Sequence, residues 1–106
     1  MEPLEDLETL DRALGARRFL LFKHSPRCGA SRWAFDEFKA FVEAHPDVPH
    51  GYVLVRKQRR LSDWITEVTG VTHASPQAIW VVDGRPAWDA SHHRITQDAL
   101  ARVTAT

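Results

Sequence analysis

One cysteine is all this chain has, so no disulfide can close within it. That excludes a secreted disulfide scaffold and fits a reducing compartment. Charge of one sign is missing as well. Fourteen Lys and Arg balance fourteen Asp and Glu, for a formal net charge of zero. Overall charge therefore gives no reason to expect nucleic acid or a membrane surface as partner. Long hydrophobic runs are absent too: those near 19–22 and 78–82 have strand length and cannot cross a bilayer. The opening MEPLEDLETLDRALGARR is acidic at its start and lacks the apolar stretch of a signal peptide. A cytoplasmic protein with neither nucleic-acid nor membrane partner is expected.

What is present reads as a globular domain. Hydrophobic residues make up 43% and charged residues 26%, a balance that can bury one modest core. At 106 residues, a single domain over 1–106 is expected. Leu4, Leu7, Leu10 and Leu14 recur at helical spacing between Pro3 and Gly15. Phe19-Leu20-Leu21-Phe22 then has the length and composition of a strand. From about Ala30 to Ala44 the pattern is helical again, with Ala34, Phe38, Phe41 and Val42 on one face. Tyr52-Val53-Leu54-Val55 predicts a second strand. Ser62 predicts the cap of a helix that Gly70 closes. Ala78–Val82 predicts a third strand, Asp83-Gly84 a tight hairpin, and Pro86-Ala87-Trp88 a fourth strand. Thr96 would cap a last helix through Ala99, Leu100 and Val103.

The order is an extra N-terminal helix, then β-α-β, α, a β-hairpin and α. A β-α-β unit pairs its strands in parallel with a right-handed crossover, and the hairpin adds antiparallel strands. The expectation is an α/β thioredoxin-like fold: a four-stranded mixed sheet flanked by helices. Open sheets of this kind bind ligands beyond the carboxyl ends of their strands.

Cys28 falls in that region, in LFKHSPRCGAS, at the amino end of the second helix. Unpaired N–H groups and the helix dipole there favour a thiolate, the nucleophile of thiol–disulfide exchange. Lys23, His24, Arg27 and Arg32 surround it in sequence, and Gly29 leaves room for a partner's backbone. A lone cysteine is more often a small core hydrophobe; its place in a loop-to-helix junction argues for chemistry. Ser31 makes the motif C-x-x-S. With no second thiol to resolve a mixed disulfide, an outside thiol must do so. Ser31 can hydrogen-bond the sulfur, or serve only in capping and packing. Before the third strand, His73-Ala74-Ser75-Pro76-Gln77 holds the position where thioredoxin-like folds carry a cis proline. A cis Pro76 would turn the Ser75 backbone toward a bound partner, which could pair with it as an added strand.

These residues resemble the monothiol bacilliredoxins, the YtxJ-type proteins of the bacillithiol system. The resemblance rests on Phe22-Lys23-His24-Ser25, Cys28 with Ser31, and the Ala34/Phe35-Glu37-Phe38 face. It continues through Arg59 with Leu61-Ser62-Asp63, Thr69-Gly70-Val71, His73–Gln77, Asp83-Gly84, Trp88 and Ser91–Thr96. It runs from about Leu4 to Leu100; His93 departs from it, standing where an aromatic residue is expected. The resemblance implies removal of bacillithiol from S-bacillithiolated client proteins by attack of Cys28 on the mixed disulfide. Bacillithiol acts as co-substrate, no other cofactor or metal is implied, and bacillithiol or a redox partner serves as reductant. His24, Gly29, Ser31, Ser75 and Pro76 would support the site. Lys23, Arg27, Arg59 and His73 would bind the thiol or its carboxylates. The basic run Arg56-Lys57-Gln58-Arg59-Arg60 follows the second strand at the active-site end of the sheet and could hold those carboxylates, Arg59 before the others; a solvated loop is the plainer alternative.

Other readings stay open. His24–Arg32 also looks like the active-site segment of glutaredoxin-linked arsenate reductases, with Arg32, Arg59 and Arg60 to hold the oxyanion. A monothiol protein can also carry an iron–sulfur cluster or a thiol without catalysis, although one cysteine cannot hold a cluster alone.

Overall fold

In the computed structural model, which describes residues 1–105, helix α1 spans Leu7–Leu14. Its start is later than the leucine spacing predicts. The Asp6 carboxylate accepts from the Thr9 N–H at 2.8 Å, filling one of the orphan donors of the first turn. Leu4 lies before the helix and donates its N–H to the Tyr52 carbonyl at 2.8 Å. That bond ties the first residues to an outer strand, whose exposed edge would otherwise offer itself for pairing.

The strands and remaining helices are β1 (Arg18–His24), α2 (Gly29–Ala44), β2 (His50–Leu54), α3 (Arg59–Thr69), β3 (Gln77–Val82), β4 (Arg85–Ser91) and α4 (Gln97–Thr104). The sheet order is β2-β1-β3-β4. β1 and β2 are parallel, and β1/β3 and β3/β4 are antiparallel. This is the four-stranded mixed sheet that the element order predicts. The Asp83-Gly84 turn has φ of 51° and 75°, the left-handed pair that a two-residue hairpin needs.

β1 lies inside the sheet and is buried on both faces, which is why its sequence runs apolar without alternation. On one face Leu20, Phe22 and Trp80 meet Phe38 and Phe41 of α2 and Leu100 of α4. On the other, Leu21, Val53 and Ile79 meet Leu10 and Leu14 of α1 and Leu61 and Ile65 of α3. Each such fully buried side chain contributes about 1.5–3 kcal/mol.

Two local expectations change. Ser62 is not a cap: α3 begins after Gln58, and Ser62 is buried within it. The Leu61/Ile65 stripe extends back through Arg59 and Arg60, which are good helix formers. Half of the basic run is therefore helical. Gln58 braces the turn, accepting from the Leu54 N–H at 2.8 Å and donating to the Leu4 carbonyl at 2.7 Å. After β4 the chain enters a short 3-10 helix, His92–Arg94, through a left-handed His92 at φ 56°.

Candidate active site

Cys28 is the N-cap residue of α2, extended at φ −95° and ψ 126°. Its N–H donates to the Ser25 carbonyl at 2.9 Å, and its carbonyl accepts from the Arg32 N–H at 3.0 Å. The backbone is thus held on both sides while the side chain makes no capping bond. The thiol is partly exposed. At Gly29 an added Cβ would meet nothing within 4 Å, so the space beside the thiol is open to a partner.

Three side chains fix the loop that carries it. Ser31 is fully buried on the first turn of α2. Its hydroxyl accepts from the Ser25 N–H at 2.8 Å and lies 2.9 Å from Nδ1 of His24. Ser31 therefore binds the loop rather than the sulfur. His24 is buried against Phe35, ring centroids 4.1 Å apart and nearly parallel. Burial and the nearby Lys39 hold its imidazole below the usual histidine range, against a smaller pull from Asp36. A neutral Nδ1 can accept the Ser31 proton, which satisfies both buried groups. Ser25 reaches the other way, its hydroxyl 2.6 Å from that of Ser75. The Ser75–Pro76 peptide is cis. The Cys28 loop and the turn before β3 are thereby joined by one hydrogen bond.

Lys23 is wholly buried on β1, so it cannot meet a ligand directly as the resemblance implies. Its Nζ lies 2.6 Å from Nδ1 of His73. Burial pushes its amine down to about 8, with Asp63 opposing. His73 is exposed and also held low, by partial burial first and by the Lys23 charge second. It lines a polar cleft with Val55, Arg56, Arg59, Ser62 and Asp63. Arg59 holds Asp63 at 3.4 Å in an exposed pair of little energetic weight. Arg27 lines a second cleft with Ser25, Pro26, Leu54, Arg56 and Lys57. Arg56 borders both.

Sequence reasoning missed Ser25 as a tie. Arg56 and Lys57 follow directly on β2 at the carboxyl end of the sheet, where the sequence puts the basic run, and they wall the cleft that Arg27 lines. Arg32, Arg59 and Arg60 do not converge as an oxyanion site would need. The Arg32 guanidinium is on the Pro26 carbonyl at 3.4 Å, while Arg59 and Arg60 share a third cleft whose wall also carries the acidic Glu5 and Asp6.

This arrangement has relatives. A solved structure assigned as an oxidoreductase with a thioredoxin fold is similar at 32% identity and a TM-score of 0.87, over 94% of this chain and 89% of that one. Mitochondrial thioredoxin 3 of Saccharomyces cerevisiae is 17% identical with a TM-score of 0.75, over 97% of this chain and 92% of its own. Fasciola hepatica thioredoxin is 18% identical with a TM-score of 0.71, over 93% and 88%. The last two show the thioredoxin fold alone. The model of the family "Monothiol bacilliredoxin BrxC" matches residues 1–100. With a single thiol at the head of α2, a thioredoxin-type sheet behind it and that match over nearly its whole length, the chain belongs to the monothiol bacilliredoxin family, a family of thiol oxidoreductases.

Proposed function

We propose that the protein removes bacillithiol from S-bacillithiolated proteins by monothiol exchange at Cys28. The observation that carries this reading is a partly exposed, unbonded thiol at a helix N-terminus, in a chain with no second cysteine. The Cys28 thiolate attacks the bacillithiol sulfur of the mixed disulfide. A new S–S bond joins Cys28 to bacillithiol, the old one breaks, and the client leaves as a thiolate that takes up a proton. A second thiol, bacillithiol or a redox partner, then attacks the Cys28 adduct and frees the enzyme.

The cationic clefts support this substrate class. Bacillithiol carries carboxylates, and Arg27, Arg56 and Lys57 stand around the cleft beside the Cys28 loop. Arginine suits carboxylates through paired N–H donors. The turn at Ser75 offers backbone to an extended client segment, since β3 takes up pairing only from Gln77 onward.

The test is intact mass after mixing the protein with a bacillithiolated client. The expected result is a gain of one bacillithiol on Cys28 with release of the client thiol. Cys28→Ser should fold and form no adduct. Absence of the adduct in the wild type, with Cys28 open to an alkylating probe, would reject the reading, as would de-thiolation by the Ser variant.

A further inference from the structure

A fully buried lysine without an ion-pair partner is unusual, because burying an unpaired ammonium costs several kcal/mol. Lys23 is such a residue. Among the described residues no carboxylate pairs with it. Its register partner across the sheet is Gln77, whose Oε1 is itself buried without a hydrogen bond. The contact Lys23 does make is to Nδ1 of His73, at 2.6 Å. A lysine ammonium can only donate, so Nδ1 must accept, and the proton of a neutral His73 then sits on Nε2. The ring is exposed and borders the cleft shared with Arg56 and Arg59.

We propose that Lys23 is a positioning residue that anchors His73 and fixes it as an Nε2–H donor, completing with Arg56 and Arg59 a subsite for a carboxylate of the small thiol being exchanged. The inference rests on the monothiol exchange proposed above and names the part of the molecule that reads the thiol's acidic group. It also gives the buried charge a purpose that packing does not. The groups facing the pair are Asp63 and Arg59 from α3, Arg56 from the turn after β2, and the uncharged Gln77 from β3 and Thr72 from the His73 loop. Asp63 is the one acid among them, and Arg59 engages it. The subsite therefore keeps cationic character while His73 stays neutral, consistent with the lowered proton affinity of its ring beside Lys23.

The first measurement needs no variant. Nitrogen–proton correlation spectra of the histidines at neutral pH should show His73 protonated at Nε2 with Nδ1 as acceptor; an Nδ1–H ring overturns the proposal. The second compares wild type with Lys23→Met on one client protein carrying either bacillithiol or cysteamine, which has no carboxylate. Loss of one charge-assisted contact predicts a KM about tenfold higher for the bacillithiol substrate, with kcat within about twofold. KM for the cysteamine substrate should move by less than about twofold. Lowering the pH should restore much of the lost affinity in the variant, because the released imidazole takes up a proton and becomes a cation. Equal losses on both substrates, or none on either, would overturn the proposal. Equal losses would assign Lys23 to folding or to a carboxylate of the client. Should the wild type act on neither substrate, the exchange reading itself fails. The subsite is then read from Cys28 alkylation by iodoacetate against iodoacetamide. That rate ratio should fall about fivefold or more in Lys23→Met, and an unchanged ratio overturns the inference.

Discussion

At the scale of single residues, Lys23 sets stability against function. Its amine is pushed from 10.5 down to about 8 by burial, so the folded state disfavours the charge it carries at neutral pH. The penalty is present in full below about 8. It is relieved as the pH rises from about 8 toward 10.5, where the unfolded chain still binds the proton and the folded one does not. Stability from this residue therefore increases with pH across that window, by roughly 3 kcal/mol at most. Methionine fills a similar volume without the charge. Lys23→Met should raise the urea midpoint at pH 7, by about 1–3 kcal/mol in stability, and should lose the alkaline rise. A destabilised variant with the rise intact would show that the amine is not a buried charge. This part of the site was only half legible in the sequence. Lys23 and His73 stand fifty positions apart, and nothing in either neighbourhood says that one is buried and the other is its acceptor. Cys28 was legible, because a strand-length apolar run, a Pro–Gly bracket and a helical stripe all mark the same junction.

At the scale of elements, the segment between β1 and α2 is held mainly by Ser31. The C-x-x-S pattern left two roles for that serine, and the geometry selects the loop. Its hydroxyl serves the Ser25 N–H and His24 Nδ1 together. Ser31→Ala would leave both without their partner, at about 1–3 kcal/mol for the buried groups. It would also loosen the segment on which Cys28 is mounted, so slower alkylation or exchange at Cys28 should accompany the lower melting temperature. A loss of stability with unchanged Cys28 reactivity would mean that the segment is positioned by the Ser25–Ser75 bond and the backbone alone. The helix starts show why boundaries were harder to read than cores. Asp6 and Thr96 both cap with their side chains, at 2.8 Å and 3.1 Å, yet the leucine spacing drew the first helix back to Leu4. Ser62 had the chemistry of a cap, but the Leu61/Ile65 stripe took it inside the helix. Apolar periodicity reports which face is buried, whereas the terminus depends on one hydrogen bond that the pattern does not contain.

At the scale of the whole molecule, the order of elements was enough to give the sheet, because short connections and right-handed crossovers leave few alternatives. The same packing of helices on both faces of the sheet that buries Phe22 and Trp80 on one side and Leu21 and Ile79 on the other also buries His24 among aromatic rings. That links the core to the pH range in which the protein stays folded. The folded state keeps the His24 imidazole neutral more strongly than the unfolded chain does, first through burial and then through Lys39. The unfolded chain takes up its proton near the ordinary value of 6.5. The contribution is therefore present above that pH and is lost as the pH falls below it, until the folded protein too becomes protonated. His73 adds a smaller effect of the same sign, because it is exposed. Urea midpoints should thus fall as the pH drops below about 6.5 more steeply in the wild type than in His24→Asn. Asparagine can still offer an oxygen to the Ser31 hydroxyl, but it has no proton to gain. Parallel curves for the two proteins would place the acid sensitivity elsewhere. A shallower curve for the variant would tie acid stability to the bond that braces the Cys28 segment, so that mild acid would loosen the site before it melts the sheet.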